Sequence, residues 1–482
     1  MKQKSFELLC ASILGFGQLC IMTGYDSQSF ILESVIHSIH EREPGRISPY
    51  AGYYGQAVLF AAYTLTCLFS PSILNISTSK FLLIVSAISF TSFPLGFLFV
   101  NPYYFYFSAF ALGFGNSLYY LGMNSYLTSH STRQTIETNV SVSWSVGCCC
   151  LIIGSAVMAG ITKMTSGSNL GLGVESGLEL TNLNSTVTSL HSHERKFNDM
   201  EIKLLFTAFS GISAIAIFAF SFLPSKSVDN CIENNEKTGG FWDELVLTCR
   251  TVVSPKMLQI LPLSLLGGFN VSFWLSIFPT AMNFTKSNSN LIYIPAIWSL
   301  GAGIGEVFMG IAISFLSKRI KGFGLKPTMV IGGISVIAHC ILIHLSTPFE
   351  APMKPTSDEP LLFYHSYPLI FLIAVICGVS DCCINSVRSV ICALVMPRRR
   401  AQSYAVARMY NAFACVICFF FSPIVPLYYY TYGLPVLAVF ATVVFFRVAN
   451  HTKVMERKMT IEHMENEKTK KEIIQIQTKE TA

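Results

Sequence analysis

Runs of about 20 apolar residues recur along the whole chain, and that is the length an α-helix needs to cross a bilayer. They fall near 6–26, 51–73, 80–100, 103–127, 138–162 and 202–223, and after a polar break near 257–281, 291–315, 326–346, 367–390, 402–424 and 427–447. The pattern predicts an all-α membrane protein with twelve transmembrane helices in two six-helix bundles. The boundaries that follow are 1–224 for the N-terminal bundle, 225–255 for a cytoplasmic linker, 256–449 for the C-terminal bundle and 450–482 for a cytoplasmic tail. Charged residues make up 12% of the chain, about half the share in soluble domains, so the partner surface expected first is the lipid bilayer.

Charge placement sets the orientation. Lys80, Arg133, Lys318, Arg319, Lys321, Arg398, Arg399 and Arg400 fall in short loops on one side, whereas opposite loops are tiny or mixed, as in His40-Glu41-Arg42-Glu43. The positive-inside rule then places both termini in the cytoplasm. The formal net charge of +6 is accounted for by those loops, so no nucleic-acid groove is implied. Lys2 and Lys4 before the first apolar run also fit a signal peptide, but Gln18 to Tyr25 offers no small-residue cleavage site, so a retained helix is expected.

The fifteen cysteines lie mostly in apolar runs and read as small hydrophobes rather than a disulfide framework. No zinc spacing, phosphate loop, nucleophile elbow or metalloprotease helix is present, so neither catalysis nor a cofactor is expected. Glu33, His37 and His40 would share a face if the first helix ran outward, but without further ligands a solvated face is the expectation. Asn184-Ser185-Thr186 and Asn283-Phe284-Thr285 are sequons on the outer side of this topology, which makes Asn184 and Asn283 candidate glycosylation sites. Tyr103 to Tyr106 and Tyr428 to Tyr430 read as interfacial aromatic belts.

The polar residues inside apolar runs carry the functional argument. Tyr25, Asp26, Gln28 and Gln56 lie around the first helix mouth, and Asn124 in the fourth run. Glu306 lies in the eighth run, beside Gly301 and Gly305, which allow close helix approach. Asp381, Asn385 and Arg388 share one face of the tenth run, with Arg408 and Asn411 in the eleventh. An uncompensated charge at mid-bilayer costs about 3 kcal/mol, so these groups should face inward and pair. Two readings stand side by side: a proton or ion relay or substrate clamp in a central cavity, and a structural network such as Asp381 with Arg388 or Arg408. Asp26 also fits a helix end at the outer interface.

A shift of 265 places Gly113 on Gly378, Asn116 on Asp381, Arg133 on Arg398 and Cys150 on Cys415. Two parallel six-helix halves are the major facilitator arrangement. Gly15-Phe16-Gly17, Gly24-Tyr25-Asp26-Ser27-Gln28-Ser29-Phe30, Gly52-Tyr53-Tyr54-Gly55-Gln56-Ala57 and Tyr126 to Arg133 resemble the Uncoordinated-93-like family of that superfamily, in a nematode-type version. The resemblance implies a regulatory or auxiliary subunit of a membrane channel, of potassium-channel type, or of another integral membrane partner. It also implies residence in the plasma membrane or an endolysosomal membrane. The acid, arginines and glycines of the usual transporter loop after the second helix are absent from Ser70 to Lys80. The alternative is a secondary transporter of a small solute that uses the intramembrane carboxylates.

Overall fold

The structure, a computed structural model, describes residues 3–132, 135–175, 196–226, 228, 231, 240–320, 324–396 and 399–452. Its helices in chain order are α1 Gln3–Arg42, α2 Ala51–Ile76, α3 Ser79–Leu95, α4 Pro102–Ser129, α5 Ile136–Cys148, α6 Cys150–Glu175, α7 Asp199–Ser221 and α8 Phe241–Val252. They continue as α9 Pro255–Leu258, α10 Leu261–Ser272, a π-helical turn Phe273–Ile277, α11 Phe278–Phe284, α12 Ile294–Arg319, α13 Leu325–Ser346, α14 Tyr367–Val395 and α15 Arg400–Phe421. The last, α16, is Leu427–Thr452.

Among the described residues ten helical stretches are long and apolar enough to cross a membrane, with α5 and α6 joined as one and α10 to α11 as another. The expectation of twelve exceeds this by two, for identifiable reasons. Ser79–Leu95 has 17 residues, and Pro102–Ser129 contains six tyrosines that lower its hydropathy. The expected tail lies outside the described residues beyond Thr452.

Three boundaries differ from expectation. The first helix does not end near Asp26; it runs 40 residues to Arg42, about 60 Å at the α-helical rise and twice a hydrocarbon core. Its polar C-terminal half is buried by protein: Ser27, Gln28, Ser29, Glu33, Ser34 and Ser38 are each 3% exposed or less. Ser29 and Ser38 return their hydroxyls to Tyr25 O and Ser34 O at 2.8 Å. Asp26 is therefore a mid-helix residue, which corrects its reading as an interfacial helix end. The apolar run expected to end near 162 is likewise exceeded, because α6 continues to Glu175. The expected linker contains α8, which packs on α2 and α15.

Glu33 is fully buried, which corrects the solvated face. Its Oε2 accepts from Tyr53 N at 2.8 Å, filling the role of an N-cap for α2, whose own preceding residue Tyr50 sits at φ 62° and supplies no side-chain cap. Gly52 makes this approach possible, since a Cβ there would lie 2.7 Å from Glu33 Cα. His37 pairs with Glu41 at 3.8 Å, and His40 Nδ1 lies 2.7 Å from Ile47 O. No group of three metal-ligating side chains occurs among the described residues.

Helix pairs close on glycine. A Cβ on Gly113 of α4 would lie 2.0 Å from Leu59 O of α2, and one on Gly378 of α14 would lie 2.1 Å from Ala302 O of α12. The two positions superposed by the internal repeat thus make the same kind of backbone contact.

One end of the bundle is tied shut across the chain. Tyr53 Oη donates to Pro352 O at 2.9 Å, and Asn283 Nδ2 donates to Ser34 Oγ at 3.2 Å. Lys286 N and Thr356 N donate to Thr356 O and Phe284 O, both at 3.0 Å, pinning the loop 347–366. His365 anchors that loop from beneath. Its Nδ1 lies 2.9 Å from Asn288 Nδ2, and that amide also donates to Met282 O, so the ring nitrogen must accept. Nε2 then donates to Thr347 Oγ1 at 3.2 Å. Burial pushes this imidazole down from 6.5 to about 4. The opened loop binds a proton below pH 6.5 and the packed loop does not until about pH 4, so packing stability is complete above 6.5 and falls as pH drops through that window. The full loss is on the order of 3 kcal/mol. Hydrogen exchange across 347–366, corrected for intrinsic rates, is expected to accelerate from pH 6.5 toward 4 in the native protein and to lose this dependence in His365→Gln.

Candidate functional site

The ionisable groups of α1, α12, α14 and α15 converge in the middle of the bundle. Asp26, Glu306 and Asp381 lie within electrostatic range of one another, and Asp381 within range of Arg388 and Arg408. Asp26, Glu306 and Arg408 are surrounded by protein yet keep accessible surface, so they are enclosed without being packed over on every side.

A break in one membrane span builds the acidic wall. The helix interrupted at Cys149 carries Cys148 at the end of α5 and Cys150 at the start of α6. Cys150 Sγ donates to Asp26 Oδ2 at 3.6 Å, and Cys148 hydrogen-bonds Glu306. Thiols are weak donors, so these two carboxyls retain most of their capacity for a proton, cation or ligand.

Asp381 is held more firmly. Its Oδ1 accepts from Trp274 Nε1 at 3.3 Å and its Oδ2 from Asn385 Nδ2 at 2.7 Å. Trp274 belongs to the π-helical turn, where a widened ring re-aims side chains, and its carbonyl is steadied by Trp298 Nε1 at 3.1 Å. Asn385 Oδ1 accepts from Arg388 Nη2, and Arg388 Nη1 donates to Asn411 Oδ1 at 2.6 Å. The expected Asp381–Arg388 pair is therefore indirect: residues seven apart on a helix are separated by about 10 Å of rise, and Asn385 spans the gap.

Arg408 takes a different environment. Its guanidinium carbon lies 3.7 Å from the centroid of the Tyr120 ring, a cation–π geometry. Tyr120 stacks on Tyr63 at 6.4 Å and 11°. The hydroxyls of Tyr63 and Tyr25 are buried without hydrogen-bond partners among the described residues, and Tyr25 packs edge-on against Phe90 at 5.6 Å.

The other expected cavity residues are placed elsewhere. Gln56 is engaged at the α1–α2 interface, its Nε2 donating to Ser29 Oγ at 3.2 Å. Gln28 is 1% exposed, with Oε1 unpartnered among the described residues, and Asn124 is half-buried in α4. Asn283 is 2% exposed in α11 and hydrogen-bonded. A glycan there would have to displace that packing, which corrects the sequon reading. Asn184 lies outside the described residues. Tyr63, Tyr120 and Trp274 were not picked out by sequence reasoning, because an aromatic side chain in an apolar run carries no signal separating packing from a site. Two surface concavities, of about 70 and 430 Å³, lie away from the cluster and are lined by no carboxylate.

Residues 43–446 match the family described as ion channel regulatory protein UNC-93. The chain belongs to the UNC-93 family. It is similar to the UNC93-like protein MFSD11 of Xenopus laevis, 20% identical over 93% of this chain and 97% of that protein. It is likewise similar to protein unc-93 homolog A of Danio rerio, 21% identical over 85% and 84%. Its fold resembles that of the nucleoside transporter NupG, with a TM-score of 0.56, 16% identity and coverage of 93% and 99%. It also resembles a POT family transporter solved with 5-aminolevulinic acid, with a TM-score of 0.60, 12% identity and coverage of 92% and 96%. This UNC-93 family chain is thus an all-α, multi-spanning membrane protein whose fold resembles that of transporters.

Proposed function

We propose that this chain is a secondary transporter of a small solute, working through the polar crevice between α1, α12, α14 and α15. The observation that carries the reading is the convergence of Asp26, Glu306 and Asp381 with Arg388 and Arg408 inside a membrane-spanning bundle. Ionisable groups at that depth are expensive and mark substrate or proton pathways. Three carboxyls against two guanidiniums leave an uneven charge balance that one proton can adjust, and Asp26 and Glu306 are the two with only thiol donors. The fold neighbours, a nucleoside transporter and a POT family transporter, support the same reading.

In this reading Ser79–Leu95 and Pro102–Ser129 complete twelve spans, divided as 1–224 and 256–449 by the linker 225–255, with both termini cytoplasmic. The end tied by Tyr53, Asn283 and the loop 347–366 is the outer gate in its closed state. The nematode-type likeness and the choice between plasma and endolysosomal membranes belong to the same reading. A channel-regulating role draws support from the family description alone; the crevice chemistry favours transport.

The test is solute flux into proteoliposomes of purified protein. Glu306→Gln is expected to cut flux at least about tenfold, a change of about 1.4 kcal/mol in the barrier, while thermal stability stays near the native value. Phe218→Ala on the outer surface, where Phe218 is 66% exposed, is expected to leave flux intact. The opposite pattern, with the outer face sensitive and the crevice indifferent, would favour a docking regulator.

A further inference from the structure

We propose that Arg408, with the hydroxyls of Tyr63 and Tyr25, forms the recognition point for a carboxylate, so that the solute is a small organic acid with a planar body. The proposal deepens the transport reading and rests on it for the word solute, but the binding site is testable without flux.

The two guanidiniums of the crevice are not equivalent. Arg388 is 2% exposed and both its terminal nitrogens donate, to Asn411 and Asn385. Arg408 has no hydrogen-bond or ion-pair partner among the described residues, yet it is held in place by the Tyr120 ring at 3.7 Å and keeps accessible surface. A guanidinium stacked on one face still presents its N–H fork in the ring plane, the geometry that grips a carboxylate through two parallel hydrogen bonds. Asp381 does not occupy that fork: its oxygens accept from Trp274 and Asn385, and no hydrogen bond or ion pair joins it to Arg408 among the described residues.

Two further donors point to the same occupant. Tyr63 is 3% exposed and Tyr25 7%, and both hydroxyls are buried without partners. A buried hydroxyl without a partner is costly, and an anionic oxygen would recover that cost. Tyr63 lies within electrostatic range of Arg408, and Tyr25 within range of Tyr63. The parallel Tyr63 and Tyr120 rings offer flat apolar faces to a planar body. Across the crevice, Asp26 and Glu306 are free to accept from a hydroxyl or amine at the far end of the same molecule.

The experiment is equilibrium binding to the full chain in nanodiscs, by calorimetry, with three probes. 4-Aminobenzoate carries the carboxylate, planar ring and amine; 4-aminobenzamide removes only the negative charge; inorganic phosphate supplies the charge without the ring. The expected result is saturable binding of the benzoate, at least tenfold tighter than the benzamide and tighter than phosphate. Arg408→Lys is expected to weaken the benzoate at least tenfold, and Tyr63→Phe several-fold, with each unliganded variant eluting and melting like the native protein. Equal affinities for benzoate and benzamide, an unchanged affinity in folded Arg408→Lys, or no benzoate binding at millimolar concentration would each overturn the proposal. Phosphate binding as tightly as benzoate would overturn the organic-acid part. Benzoate binding without any flux would instead overturn transport and leave the site standing.

Discussion

Gly305→Ala is expected to abolish recovery of folded protein. A Cβ at Gly305 would sit 2.2 Å from Val375 O, and on the facing helix one at Gly378 would sit 2.1 Å from Ala302 O. Gly301 adds a third such point, 2.8 Å from Phe371 O. Each obstacle is backbone, which cannot rotate away as a side chain would, so α12 and α14 would have to separate along their whole contact. Overpacking within a core costs 1–3 kcal/mol; with backbone opposed to the new methyl, about 3 kcal/mol or more is expected. The same separation would move Glu306, one residue further along α12, away from Asp381 on α14. Monodisperse yield in mild detergent and the melting temperature by intrinsic fluorescence report the outcome. Gly211→Ala is the matched control: Gly211 is a helical glycine of α7 with open space around its Cβ position, and the change is expected to be neutral or to stabilise by up to about 1 kcal/mol. A Gly305→Ala protein melting like the native one would contradict the close crossing.

Arg388→Met is expected to be the most destabilising change among the polar residues of the crevice, at about 2–4 kcal/mol for two amide oxygens left without donors. It would leave the buried Asn411 Oδ1 and the half-buried Asn385 Oδ1 without their donor and free the Asn385 amide that positions Asp381. Arg388→Lys is expected to rescue little, since a single ammonium on a flexible stem does not reproduce two donors in a fixed plane. Arg408→Met, by contrast, removes one cation–π contact and should cost about 1 kcal/mol. Melting curves of the three variants, taken in the same detergent, check the ranking. Equal losses at Arg388 and Arg408 would mean that the two guanidiniums share one structural role. The structural and functional readings of this charge set thus divide between two residues: Arg388 braces the helices, and Arg408 is free to bind.

Much of this was legible in the chain itself. The apolar runs marked the helices, the Gly301–Gly305 spacing marked the close crossing, and the polar residues within the runs included the ionisable groups that converge between α1, α12, α14 and α15. What hydropathy could not convey was the medium around a polar residue. Ser34 and Ser38 fell outside the expected first span because they are too polar for lipid, yet other helices bury them and α1 continues. The sequon at Asn283 is a three-residue pattern, blind to the α1 packing that covers it. Asp381 and Arg388 read as a pair because opposite charges on one helix face invite it; the intervening Asn385, on the same face, proved to be the true partner of both. Tyr63 and Tyr120 were invisible because nothing in their surroundings distinguishes a crevice wall from a core. The π-helical turn at Phe273–Ile277, which carries Trp274 to Asp381, left no mark in the apolar pattern.

The most direct measurement is solute-driven proton movement in sealed proteoliposomes containing a lumenal pH dye, with amino acids, nucleosides and organic acids offered in turn. The account predicts that at least one solute acidifies the lumen in the native protein, and that folded Glu306→Gln abolishes the acidification. Acidification at the native rate in Glu306→Gln, or a folded native protein that moves neither solute nor protons with any of the three classes, would contradict it.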